Sequence, residues 1–249
     1  DLEHIIMAEQ TKTPDYDLPN DLISPVSLVD PLSVIQEAER GNTPRPSRAR
    51  LSFVSGVSAI QKKQFENAFK QLTSAVAEAE KDKKDKETLA VTLTGLGYLC
   101  ACVQQFDKAA ICYQRALKLW LKVHAEALTK LLPFMLDTVT VLKKASKFDE
   151  AYAVLEQARA VMSGQKGEAD TEVQGLVVGL ADIRIKQKKV DEAVPLFESA
   201  LKVLHDVGSP QEVQLLHMMI SVQESQKNTE AATKLKALLK TATEKHNLS

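Results

Sequence analysis

The chain has 249 residues, 44 % of them hydrophobic and only 5 % aromatic, with a net charge of −1, so it can bury a sizeable core and offers no global attraction for nucleic acid or an anionic membrane. Ala, Leu, Lys, Glu and Gln dominate, a helix-forming vocabulary, whereas Val and Ile are scattered singly rather than in alternating runs, which argues against sheet. No apolar run reaches the roughly 18 residues of a membrane span; the longest stretch, LLPFMLDTVTVL, is broken by Pro133 and Asp137.

The first elements in chain order are not helices. Residues 1–39 hold Lys12 against nine Asp and Glu, a net of −8, so the remainder carries +7. Six of the nine prolines fall before residue 47 (Pro14, Pro19, Pro25, Pro31, Pro44, Pro46), a density that removes backbone donors and biases the preceding residues to extended forms. Residues 1–46 read as an extended acidic Pro-rich arm with one short helical turn around LSVIQEAER, and DLISPVSLVDPLSVI is apolar enough to dock on a surface. The first residue is Asp1, and no basic-then-apolar leader is present. The expected setting is the cytoplasm or another reducing compartment, with an organellar location after removal of a targeting segment as the alternative.

From Arg50 onward the pattern has helical periodicity, and it repeats. Phe65, Phe106, Phe148 and Val190 recur at steps of 41, 42 and 42 residues. Three residues after each stand Ala68, Ala109, Ala151 and Ala193; four further on Leu72, Tyr113, Leu155 and Phe197; three beyond those Ala75, Ala116, Ala158 and Ala200. A degraded fifth copy aligns Asn228, Ala231, Leu235 and Leu238 after a step of 38. Two small residues seven apart with a bulky one between make a helix face on which another helix can approach closely. The partner helix lies upstream: Leu93, Leu96, Gly97 and Cys100 in the second copy, with Gly56 of the first at the place of Gly97.

This pattern, L-x-x-L-G-x-x-C on a first helix and F-x-x-A-x-x-x-Y-x-x-A-L on a second, resembles the tetratricopeptide repeat (TPR). The 42-residue step is similar to the long-helix variant of kinesin light chains rather than the usual 34. The third copy departs at Thr138–Val139, the fourth at Leu180–Ala181 and the fifth at Met218–Met219. The resemblance implies an all-α, right-handed superhelical solenoid of about five antiparallel pairs over residues 47–249. The repeats would run approximately over 49–85, 86–127, 128–168, 169–209 and 210–245.

The three cysteines, Cys100, Cys102 and Cys112, all fall inside the second copy and read as packing residues. Cys100 and Cys102 are two apart on one helix, point in different directions, and cannot chelate one metal as C-x₂-C pairs do. His4, His124, His205, His217 and His246 read as isolated surface or cap residues. The GLG at Gly95–Gly97 lacks the Lys and Ser/Thr of a phosphate loop. Asp149–Glu150 and Asp191–Glu192 read as helix-start charges, SPQE at 209–212 as a capping box. Trp120 reads as an inter-repeat packing residue, and the run EKDKKDKE at 80–87 as a solvated helix end. No catalytic constellation, cofactor or metal is expected.

The resemblance further implies that first helices line a concave groove. Its wall would consist of Phe53, Val57, Tyr98, Leu136, Thr140, Lys143, Lys144, Asp182 and Lys186, with Ile60, Thr94, Ala101, Val178 and Ile185 beside them. Such a groove, apolar first and then basic, suits a protein or peptide partner with hydrophobic and acidic residues. Members of the family that bind chaperone tails hold a carboxylate with Lys and Asn where Phe53 and Val57 stand here, so that role is disfavoured. The expected function is a non-catalytic scaffold or adaptor, modulated by contact with residues 1–46; the alternative is a constitutive subunit of a large complex.

Overall fold

The computed structural model describes residues 47–246. The helical turn expected at LSVIQEAER, and the acidic arm as a whole, lie outside the described residues. The described part is helical, without strands, and divides into two compact units at Lys147 and Phe148. That division falls inside the third expected copy.

The first unit contains α1 (Arg48–Gln61), α2 (Phe65–Lys81), α3 (Lys86–Cys102), α4 (Phe106–Val123), a 3₁₀ turn (Leu128–Leu131) and α5 (Leu132–Lys144). Ser47 caps α1, its Oγ accepting from the Arg50 N–H at 3.3 Å, so the helix begins two residues before Arg50. Asp85 caps α3 in the same way, accepting from Thr88 N–H at 2.9 Å. Pro133 sits in the first turn of α5, where its missing N–H costs nothing; α5 is consequently short, 13 residues.

Helices α1 and α2 pack as one pair, α3 and α4 as another, and α5 packs on α4. The repeated small residues explain the closeness. Ala68, Ala75, Ala109 and Ala116 are fully buried, with Leu72 and Tyr113 between them equally so. A methyl group on Gly56 would lie 2.5 Å from Leu72 Cγ, and one on Gly97 2.7 Å from Tyr113 Cδ2. At those positions only glycine admits the bulky residue of the facing helix. Trp120 is buried and donates from Nε1 to Thr94 Oγ1 at 3.4 Å, within its own helix pair, and His124 stacks on its ring at 5.3 Å.

The second unit contains α6 (Phe148–Lys166), α7 (Thr171–Lys186), α8 (Val190–Asp206), α9 (Gln211–Ser225) and α10 (Thr229–Lys245). Here α7 pairs with α8 and α9 with α10, while α6 packs on α7. Its core joins Val177, Ala181, Ala193, Phe197, Ala200, Leu204, Leu215 and Met219. Asp149, Glu150, Asp191 and Glu192 occupy the first turns of α6 and α8, as charges favoured by the helix dipole should.

A shared turn joins first to second helices. In each, a non-glycine residue has positive φ: Lys63 (55°), Gln104 (59°), Ser146 (56°), Lys188 (62°) and Lys227 (60°). Each such N–H bonds three residues back and the next N–H five back, as in Gln104 N–H to Ala101 O at 3.0 Å and Gln105 N–H to Cys100 O at 2.8 Å. This is the Schellman closure, here without its usual glycine. The turns also correct the fifth register: Lys227 aligns Thr229, not Asn228, with Phe65. The buried alanine is therefore Ala232 at 4 % exposure, not Ala231.

Candidate partner-binding surface

The expected wall residues separate by burial. Phe53, Val57 and Tyr98 are at most 4 % exposed, and Ile60, Thr94 and Ala101 are buried with them. The reason is α3: α1, α2 and α4 all pack on it, and nearly every residue of its last four turns is buried. Phe53 lies on the backbone of α3, its ring 2.6 Å from where a Gly95 methyl would stand. These side chains fill the first unit's core.

On α5 the arrangement differs. Leu136, Thr140 and Lys143 are half-buried and Lys144 is exposed, at spacings of four, three and one that place them on one face. Lys144 holds its ammonium 5.4 Å above the centre of the Phe106 ring, which fixes the cation at the α3–α4 turn. The opposite side of α5 is buried, through Phe134, Asp137, Thr138 and Val141. Phe134 stacks on Tyr113 at 5.3 Å and 11°. Burial, reinforced by the nearby Asp137 charge, pushes the Tyr113 phenol well above its usual range. In α7 of the second unit, Asp182 is half-buried and Lys186, one turn on, is exposed. Val178 and Ile185 are half-buried and pack onto that unit's core. Arg184 stands over Tyr152, its guanidinium carbon 3.7 Å from the ring centre, and bonds Glu192 at 3.0 Å.

The three thiols are buried and free. The Cys112 thiol is raised well above its ordinary value by its hydrogen bond with Cys100 and by burial. Burial, with Cys100 adding, pushes Cys102 up to about 12. Thiols kept out of water pack as small hydrophobes, in line with the sequence reading. Among the described residues no three His, Cys, Asp or Glu side chains stand close enough to hold a metal ion, and no helix is long and apolar enough to cross a membrane.

One cluster escaped the sequence reading. Glu212, 1 % exposed at the start of α9, receives His205 Nδ1 from the end of α8 and His246 Nε2 from the end of α10, each at 3.0 Å. Lys245 adds its ammonium at 3.9 Å. Glu212 is thus no capping-box member, and the two histidines are not isolated. The Ser209 hydroxyl accepts from Gln211 N–H instead, at 3.3 Å. The cluster flanks a cavity of about 420 Å³ floored by Leu201, Leu216, Met219 and Leu235. Its histidines lie 7 residues before and 34 after Glu212, on separate helices, so no local motif covers them.

No family model and no curated protein matches the sequence. Solved structures do match. Nearly identical TPR-like repeats from a Podosopora anserina protein described as a kinesin light chain superpose with a TM-score of 0.60 at 17 % identity, covering 83 % of this chain and all of that one. BtubC from P. vanneervenii gives 0.56 at 20 % identity, over 90 % of this chain and 86 % of that one. The apo form of RapI gives 0.58 at 13 % identity, over 86 % and 59 %. Paired helices, recurring buried alanines and these neighbours agree: the chain has the fold of the tetratricopeptide-like repeat proteins.

Proposed function

We propose that the chain is a non-catalytic protein-binding scaffold, with residues 47–249 as its recognition region and residues 1–46 as a modulating acidic arm. The observation that carries this is α5. It presents half-buried Leu136 and Thr140 beside Lys143 and exposed Lys144, a strip that runs from an apolar residue through a hydroxyl to cations. A segment with hydrophobic and acidic residues matches both halves of that strip, apolar area supplying affinity and charge supplying rate and orientation. Asp182 and Lys186 give the second unit a smaller polar face of mixed charge. Phe53, Val57 and Tyr98 contribute by packing inside the first unit.

The test is a capture experiment with the full chain and with the double variant Lys143→Glu/Lys144→Glu, followed by affinity measurements for each captured protein. Loss of at least tenfold in affinity, equal to about 1.4 kcal/mol, is the expected result for a partner seated on α5. Unchanged affinity for every captured partner refutes the assignment of this surface.

A further inference from the structure

The chain's charge is not spread evenly over its two units. Residues 47–147 hold 17 Lys and Arg against 9 Asp and Glu, a net of +8, whereas residues 148–249 hold 12 against 15, a net of −3. The −8 of residues 1–39 therefore has its complement in the first unit alone.

Within that unit, four of the five carboxylates at the α2–α3 junction have hydrogen-bond partners, two of them cations. Glu78 takes Lys81 at 2.6 Å and Glu80 takes Arg115 at 2.8 Å. Asp82 accepts the Lys84 N–H at 3.0 Å, and Asp85 caps α3. Lys83, Lys84 and Lys86 are left exposed with Glu87 the remaining carboxylate of the run. The Arg115–Glu80 bond sets the final turns of α4 against the end of α2, which adds exposed Lys118 and Lys122 to the same edge.

The described chain also enters here. Arg48, the first residue of α1, stands near enough to Glu78 to help Lys81 hold that carboxyl below its ordinary range. From Arg48 back to residue 39 is a tether of about 30 Å at most, so the acidic segment is kept at millimolar effective concentration beside the edge.

We propose that residues 1–39 dock on the lysine edge formed by Lys83, Lys84, Lys86, Lys118 and Lys122. The inference deepens the modulating role assigned to the arm. Docked there, the segment cancels the positive field of the first unit and slows the encounter with acidic partners, without occupying the α5 face. It involves none of the α5 residues, so it can fail while the Lys143–Lys144 reading stands, and the reverse.

The test is lysine acetylation footprinting of the full chain. It is compared with a full-length variant carrying Asp15→Asn, Asp17→Asn, Asp21→Asn and Asp30→Asn, at low and high salt. At 0.01 M salt, where charges are felt over about 30 Å, Lys83, Lys84 and Lys86 are expected to react about threefold faster in the variant. Lys188 and Lys227 of the second unit serve as unchanged references. At 1 M salt the difference should vanish. Equal rates in both chains overturn the proposal, as does protection that moves to Lys62 and Lys147 at the opposite, turn-bearing edge. Protection that disappears on dilution assigns the segment to a second copy and also overturns it.

Discussion

Replacing Gly97 by alanine tests the packing on which the helix pairs rest. The added methyl would stand 2.7 Å from Tyr113 Cδ2 and 3.0 Å from both Tyr113 Cε2 and Cys112 Cβ. Ordinary carbon contacts lie at about 3.5–4.0 Å, so α3 and α4 must part by about 1 Å. Tyr113 cannot swing aside, because it is fully buried and stacked on Phe134. Overpacking of this kind costs about 1–3 kcal/mol, against which alanine regains up to about 1 kcal/mol of helix propensity. The paired control is Gly175→Ala in α7, where nothing lies within 4 Å and the propensity gain stands alone. Urea unfolding of full-length variants, followed by helical circular dichroism, should show Gly97→Ala less stable than the parent and Gly175→Ala more stable by about 1 kcal/mol. If both substitutions stabilise alike, the close approach of α3 to α4 is not what Gly97 provides, and the packing argument fails.

Other consequences follow from the turns, the thiols and the Glu212 cluster. Gln104→Gly should stabilise the chain by about 0.5–1 kcal/mol, because its φ of 59° is costly for any residue with a Cβ; thermal unfolding checks it, and a loss of stability would count against the turn geometry. Gly208→Ala, at φ 66°, should do the opposite in the same assay. Cys102 is raised to about 12, so between the unfolded thiol's value near 8.5 and that figure the unfolded chain releases a proton that the folded chain keeps. Stability should accordingly fall as pH rises through that window, and fall less steeply in Cys102→Ala; parallel curves would contradict the buried thiol. In the folded chain none of the three cysteines should react with maleimide at pH 7.5. Glu212→Ala leaves two imidazoles without their acceptor and should cost about 1–3 kcal/mol, read as faster amide exchange in α10. Unaltered exchange there would show that the cluster does not hold the helix.

The repeat was legible because its signal is local and periodic. Ala109, Tyr113 and Ala116 fall on one helix face by spacing alone, and all three are fully buried. The fifth copy slipped by one residue because Asn228 and Thr229 supply no bulky side chain to mark the helix start; the turn at Lys227 fixes it. Phe53, Val57 and Tyr98 are buried rather than open because a first-helix register cannot say how many neighbours a helix has, and α3 has three. The left-handed turn residues were hidden for a different reason: Lys, Gln and Ser occupy sites where glycine would have announced the bend. His246 and Glu212, 34 residues apart, meet only through the packing of separate helices, and His205 reaches Glu212 across a turn whose geometry the spacing does not state.

The recognition surface itself is tested most directly by amide hydrogen exchange of the full chain, free and saturated with a captured partner. Protection concentrated in α5 (Leu132–Lys144), and absent after Lys143→Glu/Lys144→Glu, is the result expected of a scaffold that reads its partner with that helix. Protection confined to second helices such as α4 or α8, with α5 unaffected, would contradict it.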